Sequence, residues 1–202
     1  SLVGEYLREH KVEFHPYQDF YDEVAHFDTY PLLLPTDCNC EISTRCQRLV
    51  AEGRCSFTTS PIPAMKAIKN EAEIKGFRQA MVRDGVAMVR FLIWLEGKMA
   101  KGEEVTELGA DRELTRQRSY QALFRDVSFD TIAGYGAHGA IVHYEPTPES
   151  DIPLKPKGLF LLDSGAQYMD GTTDITRTIP LGPLTDDECR DYTLVLKGNI
   201  AL

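Results

Sequence analysis

The chain has 202 residues, 43% hydrophobic and 26% charged, an ordinary composition for a globular protein with one substantial core or one core plus a smaller piece. Its formal net charge of −9, from 31 acidic and 22 basic residues, argues against a nucleic-acid partner, which needs a basic face to displace counterions, and against an anionic membrane surface. No apolar run approaches the roughly 20 residues of a membrane span, so a membrane is not an expected partner either.

The sequence opens SLVGEYL without methionine and closes VLKGNIAL without a helix-stop signal. Both ends read as cut, and any address at the N-terminus would be lost. The first sixty residues carry aromatics (Phe14, Tyr17, Phe20, Tyr21, Phe27, Tyr30) and four of the five cysteines, Cys38, Cys40, Cys46 and Cys55, with Cys189 far downstream. The odd count and the lack of a C-x-x-C pair disfavour a disulfide framework or a zinc ribbon. Reduced thiols fit a cytoplasmic location.

Leu2 to His10 predicts a short helix. Tyr30 to Leu34 and Cys55 to Thr58 predict strands. Ser60-Pro61-Ile62-Pro63 predicts an extended link, and a domain boundary is expected there: 1–60 as one piece, 61–202 as the other. A long helix follows. Asn70 caps it, Glu73 completes a capping box, and Ile74, Phe77, Met81, Gly85, Met88, Leu92 and Leu95 predict its buried stripe. A second helix runs from the N-cap Thr106 to about Tyr120.

Strand character then takes over at Phe129–Ala133, Ala140–Tyr144, Gly158–Asp163 and Asp174–Pro180, interrupted by a proline-rich loop over 145–157. Thr185-x-x-Glu188 opens a last helix through a second capping box. The order predicts an α+β fold, with helices on one face of an antiparallel sheet.

The stretch FLLDSGAQYMDGTTDITRT raises the chemical question. Phe160-Leu161-Leu162 is apolar on both faces and predicts a strand buried on both, so Asp163 at its end needs a cation or donors. The chain turns over Tyr168–Gly171, with Gly171 free to take positive φ, and returns through Asp174 and β-branched residues. A turn centred on Tyr168-Met169 sets Asp163 opposite Asp174. A turn centred on Asp170-Gly171 sets Gln167 opposite Asp174. Either keeps both carboxylates on one face. Facing carboxylates repel unless a proton or a metal lies between them, and one or two divalent cations would make a hydrolytic centre. The competing reading is that Asp163 pairs with Arg177 and Asp174 caps the turn. The residues alone leave both open.

LLDSGAQYMDGTTDITRT, with the earlier GAIVHY and the helix PAMKAIKNEAEIKGFRQAMVRDGVAMVRFLIWLE, resembles the metal-dependent aminopeptidase P (Xaa-Pro aminopeptidase) family from about residue 61 onward. Residues 1–60 resemble the tail of that family's middle domain. The resemblance implies the first half of a "pita-bread" (creatinase/aminopeptidase-like) fold preceded by part of a smaller α/β domain. It implies a centre of two divalent metal ions, usually Mn(2+), with Zn(2+) or Co(2+) as alternatives. In that centre Asp163 chelates one metal and Asp174 bridges both, while a histidine and two glutamates come from elsewhere. It places His143 as the active-site histidine and Arg177 as a support for Asp174, and leaves His138 as a loop histidine at the cleft. The implied activity is hydrolysis of the N-terminal Xaa-Pro bond of peptides with proline at the second position, by a hydroxide bridging the metals, in a homodimer. The 202 residues alone are expected to be inactive. Two alternatives are a non-catalytic pita-bread binding module and a prolidase-type dipeptidase.

Overall fold

The computed structural model describes residues 2–202, and its contacts divide the chain into two compact units, one through Ile68 and one from Lys69 to Leu202.

In the first unit, helix α1 spans Leu2–Glu9, as its sequence suggests, and α2 spans Asp19–His26. Strand β1 (Leu32–Pro35) is followed by α3 (Cys40–Arg45), α4 (Gln47–Ala51) and β2 (Cys55–Thr58). β1 and β2 pair in parallel, Leu32 opposite Cys55, so the two helices form the crossover a parallel pair requires. Cys46, Leu49 and Cys55 make a small core with Leu32, Leu34 and Ile42. All five cysteines are free, and burial pushes the Cys46 and Cys55 thiols up, which keeps them protonated and inert. The Pro61–Pro63 link expected to be extended is the start of a helical turn: Pro61 has φ −75 and ψ −17, and α5 covers Ile62–Ala67. Proline is tolerated there because the first turn of a helix has no use for its missing N–H.

In the second unit, the Asn70–Glu73 capping box forms, each partner bonding at 2.9 Å, and α6 runs Glu71–Ala100. Its buried face differs from the predicted stripe. Gly76, Ala80, Asp84, Ala87, Met88, Phe91 and Leu95 are buried, whereas Ile74, Phe77 and Met81 are exposed. The hairpin described below lies so close to α6 that only small residues fit: a Cβ on Gly76 would lie 2.1 Å from the Asp170 carbonyl oxygen. α7 follows over Glu107–Ser119 with Thr106 as N-cap.

Two three-stranded antiparallel sheets complete the unit. The strands in chain order are β3 (Phe124–Val127), β4 (Ile132–Tyr135), β5 (Leu159–Ser164), β6 (Ala166–Tyr168), β7 (Gly171–Thr172) and β8 (Ile175–Pro180). One sheet is ordered β3-β6-β7, the other β4-β5-β8. The last helix, α8, spans Asp186–Ala201 from the Thr185–Glu188 capping box. The core joins Phe91 and Leu95 of α6, Leu114 of α7, Ala133 of β4, and Phe160 and Leu162 of β5. Each large apolar side chain fully buried there contributes about 1.5–3 kcal/mol.

Three strand expectations fail. The strand expected over Phe129–Ala133 begins only at Ile132, because Phe124–Val127 forms β3 and 128–131 is the bend between β3 and β4. Ala140–Tyr144 is not a strand: a short 3-10 helix covers Gly136–Ala140, and a turn follows it. β5 is buried on one face only. Phe160, Leu162 and Ser164 are buried, while Leu159, Leu161 and Asp163 are half-covered. The apolar run thus serves a core on one side and an open groove of about 750 Å³ on the other, between β5, β8 and α8. Among the described residues no helix is long and apolar enough to cross a membrane.

Candidate metal centre

Asp163 lies in β5 and Asp174 in the two-residue link between β7 and β8, within one hairpin whose register falls between the two that the sequence left open. Tyr168 pairs with Gly171 and Gln167 with Thr172, so the turn residues are Met169 and Asp170. β5 and β8 continue the same register, with Asp163 opposite Thr176 and Ser164 opposite Ile175. Asp174 is therefore two residues along from the partner of Asp163, diagonal rather than opposite. The alternation of buried Thr173, exposed Asp174, buried Ile175 and exposed Thr176 puts Asp174 on the face that carries Thr176, the partner of Asp163.

The hairpin's docking on α6 sets this register, not its turn chemistry. Tyr168 is buried and its hydroxyl donates to Asp84 Oδ1 at 3.0 Å. Asp170 pairs with Arg83, whose guanidinium also lies 5.0 Å from the Tyr168 ring centroid. Gly171 does not use positive φ. It is needed for proximity, because a Cβ there would lie 3.0 Å from the Ala80 Cβ and 3.1 Å from the Phe77 Cα.

Between the aspartates the hairpin is pinched. Thr173 is buried. Its hydroxyl oxygen accepts from the Ala166 N–H at 2.9 Å, and its carbonyl accepts from the Ser128 hydroxyl at 2.9 Å. Gly165 passes so close that a Cβ would lie 2.1 Å from both the Thr173 carbonyl and Ser128 Oγ.

Asp163 sits near the end of the central strand, flanked by Ile132 and Thr176, and its Oδ1 accepts from the Thr176 hydroxyl at 2.7 Å. Its other oxygen has no hydrogen-bond donor among the described residues. Asp174 is exposed and makes no hydrogen bond or ion pair among the described residues. Arg177 donates to the Thr176 carbonyl at 2.7 Å and pairs with neither aspartate, so the ion pair that would have accounted for Asp163 is not formed. Two carboxylates are hard oxygen donors suited to a divalent cation. They begin a coordination shell without completing it: among the described residues no three His, Cys, Asp or Glu side chains are grouped to hold an ion.

His143 lies in the turn after the 3-10 helix, exposed, with φ +58. Beside it stands a network that sequence reading missed. Glu107 is completely buried at the start of α7. Its Oε1 accepts from the Tyr135 N–H at 2.7 Å and its Oε2 from the Tyr144 hydroxyl at 2.9 Å. His138 Nδ1 is 3.0 Å from both oxygens, and its ring stacks on Tyr144 with centroids 4.4 Å apart. Burial first, and then the neighbouring Glu107 carboxylate, push the Tyr144 phenol up, while its bond to Ser150 pulls the other way. A second buried network joins Asp84, Arg118 and Tyr168. The only sequence signal for either was a charged residue on a helix face that had to be covered: Glu107 just after its cap, and Asp84 one position before Gly85 of the predicted stripe.

Comparison with known proteins agrees with this architecture. The chain is 42% identical over 191 residues to the Laccaria bicolor protein named "Probable Xaa-Pro aminopeptidase P", covering 93% of this chain and 30% of that one. It is 50% identical over 146 residues to Arabidopsis thaliana Aminopeptidase P2, covering 72% of this chain and 21% of that one. A solved structure, the Caenorhabditis elegans X-prolyl aminopeptidase described as a cytosolic enzyme with a di-nuclear active site, superposes with a TM-score of 0.82 at 31% identity, over 93% of this chain and 31% of that one. The chain thus spans about a third or less of the length of these relatives, and its α+β architecture is that of part of a pita-bread fold. The sequence model of Metallopeptidase family M24 matches residues 75–202, which takes in α7, all of β3 to β8 and both aspartates, and the chain belongs to that family.

Proposed function

We propose that this chain is part of a metal-dependent Xaa-Pro aminopeptidase, to which it supplies Asp163 and Asp174 as metal ligands and His143 as an active-site histidine. The observation that carries the reading is the hairpin register: it sets two carboxylates diagonally on one face, and among the described residues neither is paired with a cationic side chain. Like charges on one face favour a cation shared between them. Thr176 holds one oxygen of Asp163 and so aims the other outward. The pinch at Gly165 and Thr173 fixes the separation of the two carboxylates.

When bound, a pair of divalent cations at such a site supplies activated water at neutral pH and polarises the scissile carbonyl. The substrates are peptides with proline in second place, whose tertiary amide needs no acceptor for an N–H. The relatives named as aminopeptidases favour that activity over a dipeptidase. Manganese, a cytoplasmic location and a homodimer complete the proposal, with residues 1–60 as the end of a middle domain and 61–202 as the first part of the catalytic one.

The test is hydrolysis of an Xaa-Pro peptide with added Mn(2+), using a protein of the relatives' full length that carries this chain, beside Asp163→Asn and Asp174→Asn. The expected result is metal-dependent turnover that both substitutions abolish, together with loss of at least one bound metal by calorimetry. The 202-residue chain by itself is expected to bind metal weakly and turn nothing over. Unimpaired turnover in either variant would overturn the assignment.

A further inference from the structure

We propose that buried Glu107 is a positioning residue that clamps the segment 136–144 and thereby fixes the backbone that presents His143. The proposal rests on the reading of His143 as an active-site group for its kinetic consequence. Its geometry stands independently of that reading.

The segment leaves β4 at Tyr135 and ends at Tyr144. Outside the 3-10 helix it joins no strand ladder among the described residues. Its two ends converge on the same carboxylate: the Tyr135 N–H donates to Oε1 at 2.7 Å and the Tyr144 hydroxyl to Oε2 at 2.9 Å. The middle is held there too, with His138 Nδ1 at 3.0 Å from both oxygens. An acceptor-only carboxylate requires the proton on His138 Nδ1. One buried side chain thus closes a ten-residue excursion at three points.

His143 directly precedes the anchored Tyr144. Its φ of +58 is a conformation that residues with a Cβ adopt only when their surroundings enforce it. The Tyr144 N–H donates to the Ile141 carbonyl at 3.2 Å, closing the turn that contains His143. With Tyr144 pinned on one side and the turn closed on the other, the backbone fixes the direction of the His143 Cα–Cβ bond. Glu107 is itself immobile: Thr106 caps its helix, and its own N–H donates to the Ile152 carbonyl at 3.1 Å.

Two measurements on the chain itself test the clamp, using Glu107→Gln and Tyr144→Phe. Glutamine keeps the volume and one acceptor oxygen for the Tyr135 N–H, so the variant is expected to fold, but its NH2 cannot accept from the Tyr144 hydroxyl and that end of the clamp is weakened. Tyr144→Phe releases one end only and stands in if glutamine is not tolerated. Amide exchange over 136–144 is expected to quicken at least 10-fold in Glu107→Gln, and less in Tyr144→Phe, with β5 and β8 unchanged. The His143 ring resonances are expected to shift in both. In the full-length protein, kcat is expected to fall 10-fold or more with KM and metal content nearly constant.

Unaltered exchange and unaltered His143 resonances in the folded variants would overturn the clamp. Altered exchange with wild-type kcat would overturn its role in catalysis. A wild-type protein without metal-dependent hydrolysis would instead remove the proposed function, with the exchange and resonance readings still deciding the clamp.

Discussion

The Arg118 guanidinium and the Asp84 carboxylate face each other completely buried, joined by two parallel bonds: Nε to Oδ1 at 2.8 Å and Nη2 to Oδ2 at 3.0 Å. The pair ties α7 to α6, and the Tyr168 hydroxyl adds the hairpin to the same carboxylate. Three elements around the candidate metal centre thus share one charge.

Removing one member of a buried pair leaves the other charged and unsolvated, which costs about 3–5 kcal/mol. Asp84→Ala is expected to destabilise the second unit by that amount in urea unfolding at pH 7. The combined replacement Asp84→Leu with Arg118→Met is expected to recover most of the loss, because no lone charge remains. A single variant within 1 kcal/mol of wild type, on the order of a surface change, would show that the pair is not what holds α6 and α7 together.

Tyr168 gives the protein an alkaline sensitivity. Burial foremost, and then the charge of Asp84 and the bond to it, raise its phenol well above the ordinary value of 10.0. The unfolded chain releases this proton near pH 10 and the folded one only at higher pH. Between those points the folded state holds more protons, so stability falls as pH rises. Below pH 10 the contribution is fully present. Urea midpoints measured from pH 8 to 11 are expected to drop more steeply above pH 10 in wild type than in Tyr168→Phe. Parallel curves would remove Tyr168 as the cause.

Glycines of opposite meaning lie within the same unit. At Gly165 an added methyl meets the Thr173 carbonyl at 2.1 Å, and backbone there cannot rotate away. Gly165→Ala is expected to cost about 1–3 kcal/mol through strain and to weaken Mn(2+) binding by the full-length protein, because the pinch sets the spacing of Asp163 and Asp174. Gly97, inside α6, meets nothing within 4 Å. Gly97→Ala is expected to stabilise by up to about 1 kcal/mol through helix propensity and reduced chain entropy, with metal binding unchanged. Equal effects of the two substitutions would mean that the pinch carries no special role.

The sequence by itself determined what depends on neighbours along the chain. The Asn70–Glu73 and Thr185–Glu188 capping boxes, the Thr106 cap, the strand at Cys55–Thr58, the strand read at Gly158–Asp163 and found one residue further on, and the one-face placement of Asp163 and Asp174 follow from contacts a few residues apart or from the two-residue period of a strand. What only the tertiary structure decided depends on distant surfaces. The hairpin register was set by Tyr168, Asp170 and Gly171 seating on α6, and turn propensity could not foresee that. Bulk hydrophobicity pointed to Ile74, Phe77 and Met81, but the close approach of the hairpin required Gly76 and Ala80. GAIVHY reads as a strand from its β-branched residues, yet the buried carboxylate of Glu107, some thirty positions upstream, draws both ends of the segment together and leaves His143 in a turn. No local pattern encodes such a partner, because the stabilising contact exists only after α7 has packed beside β4.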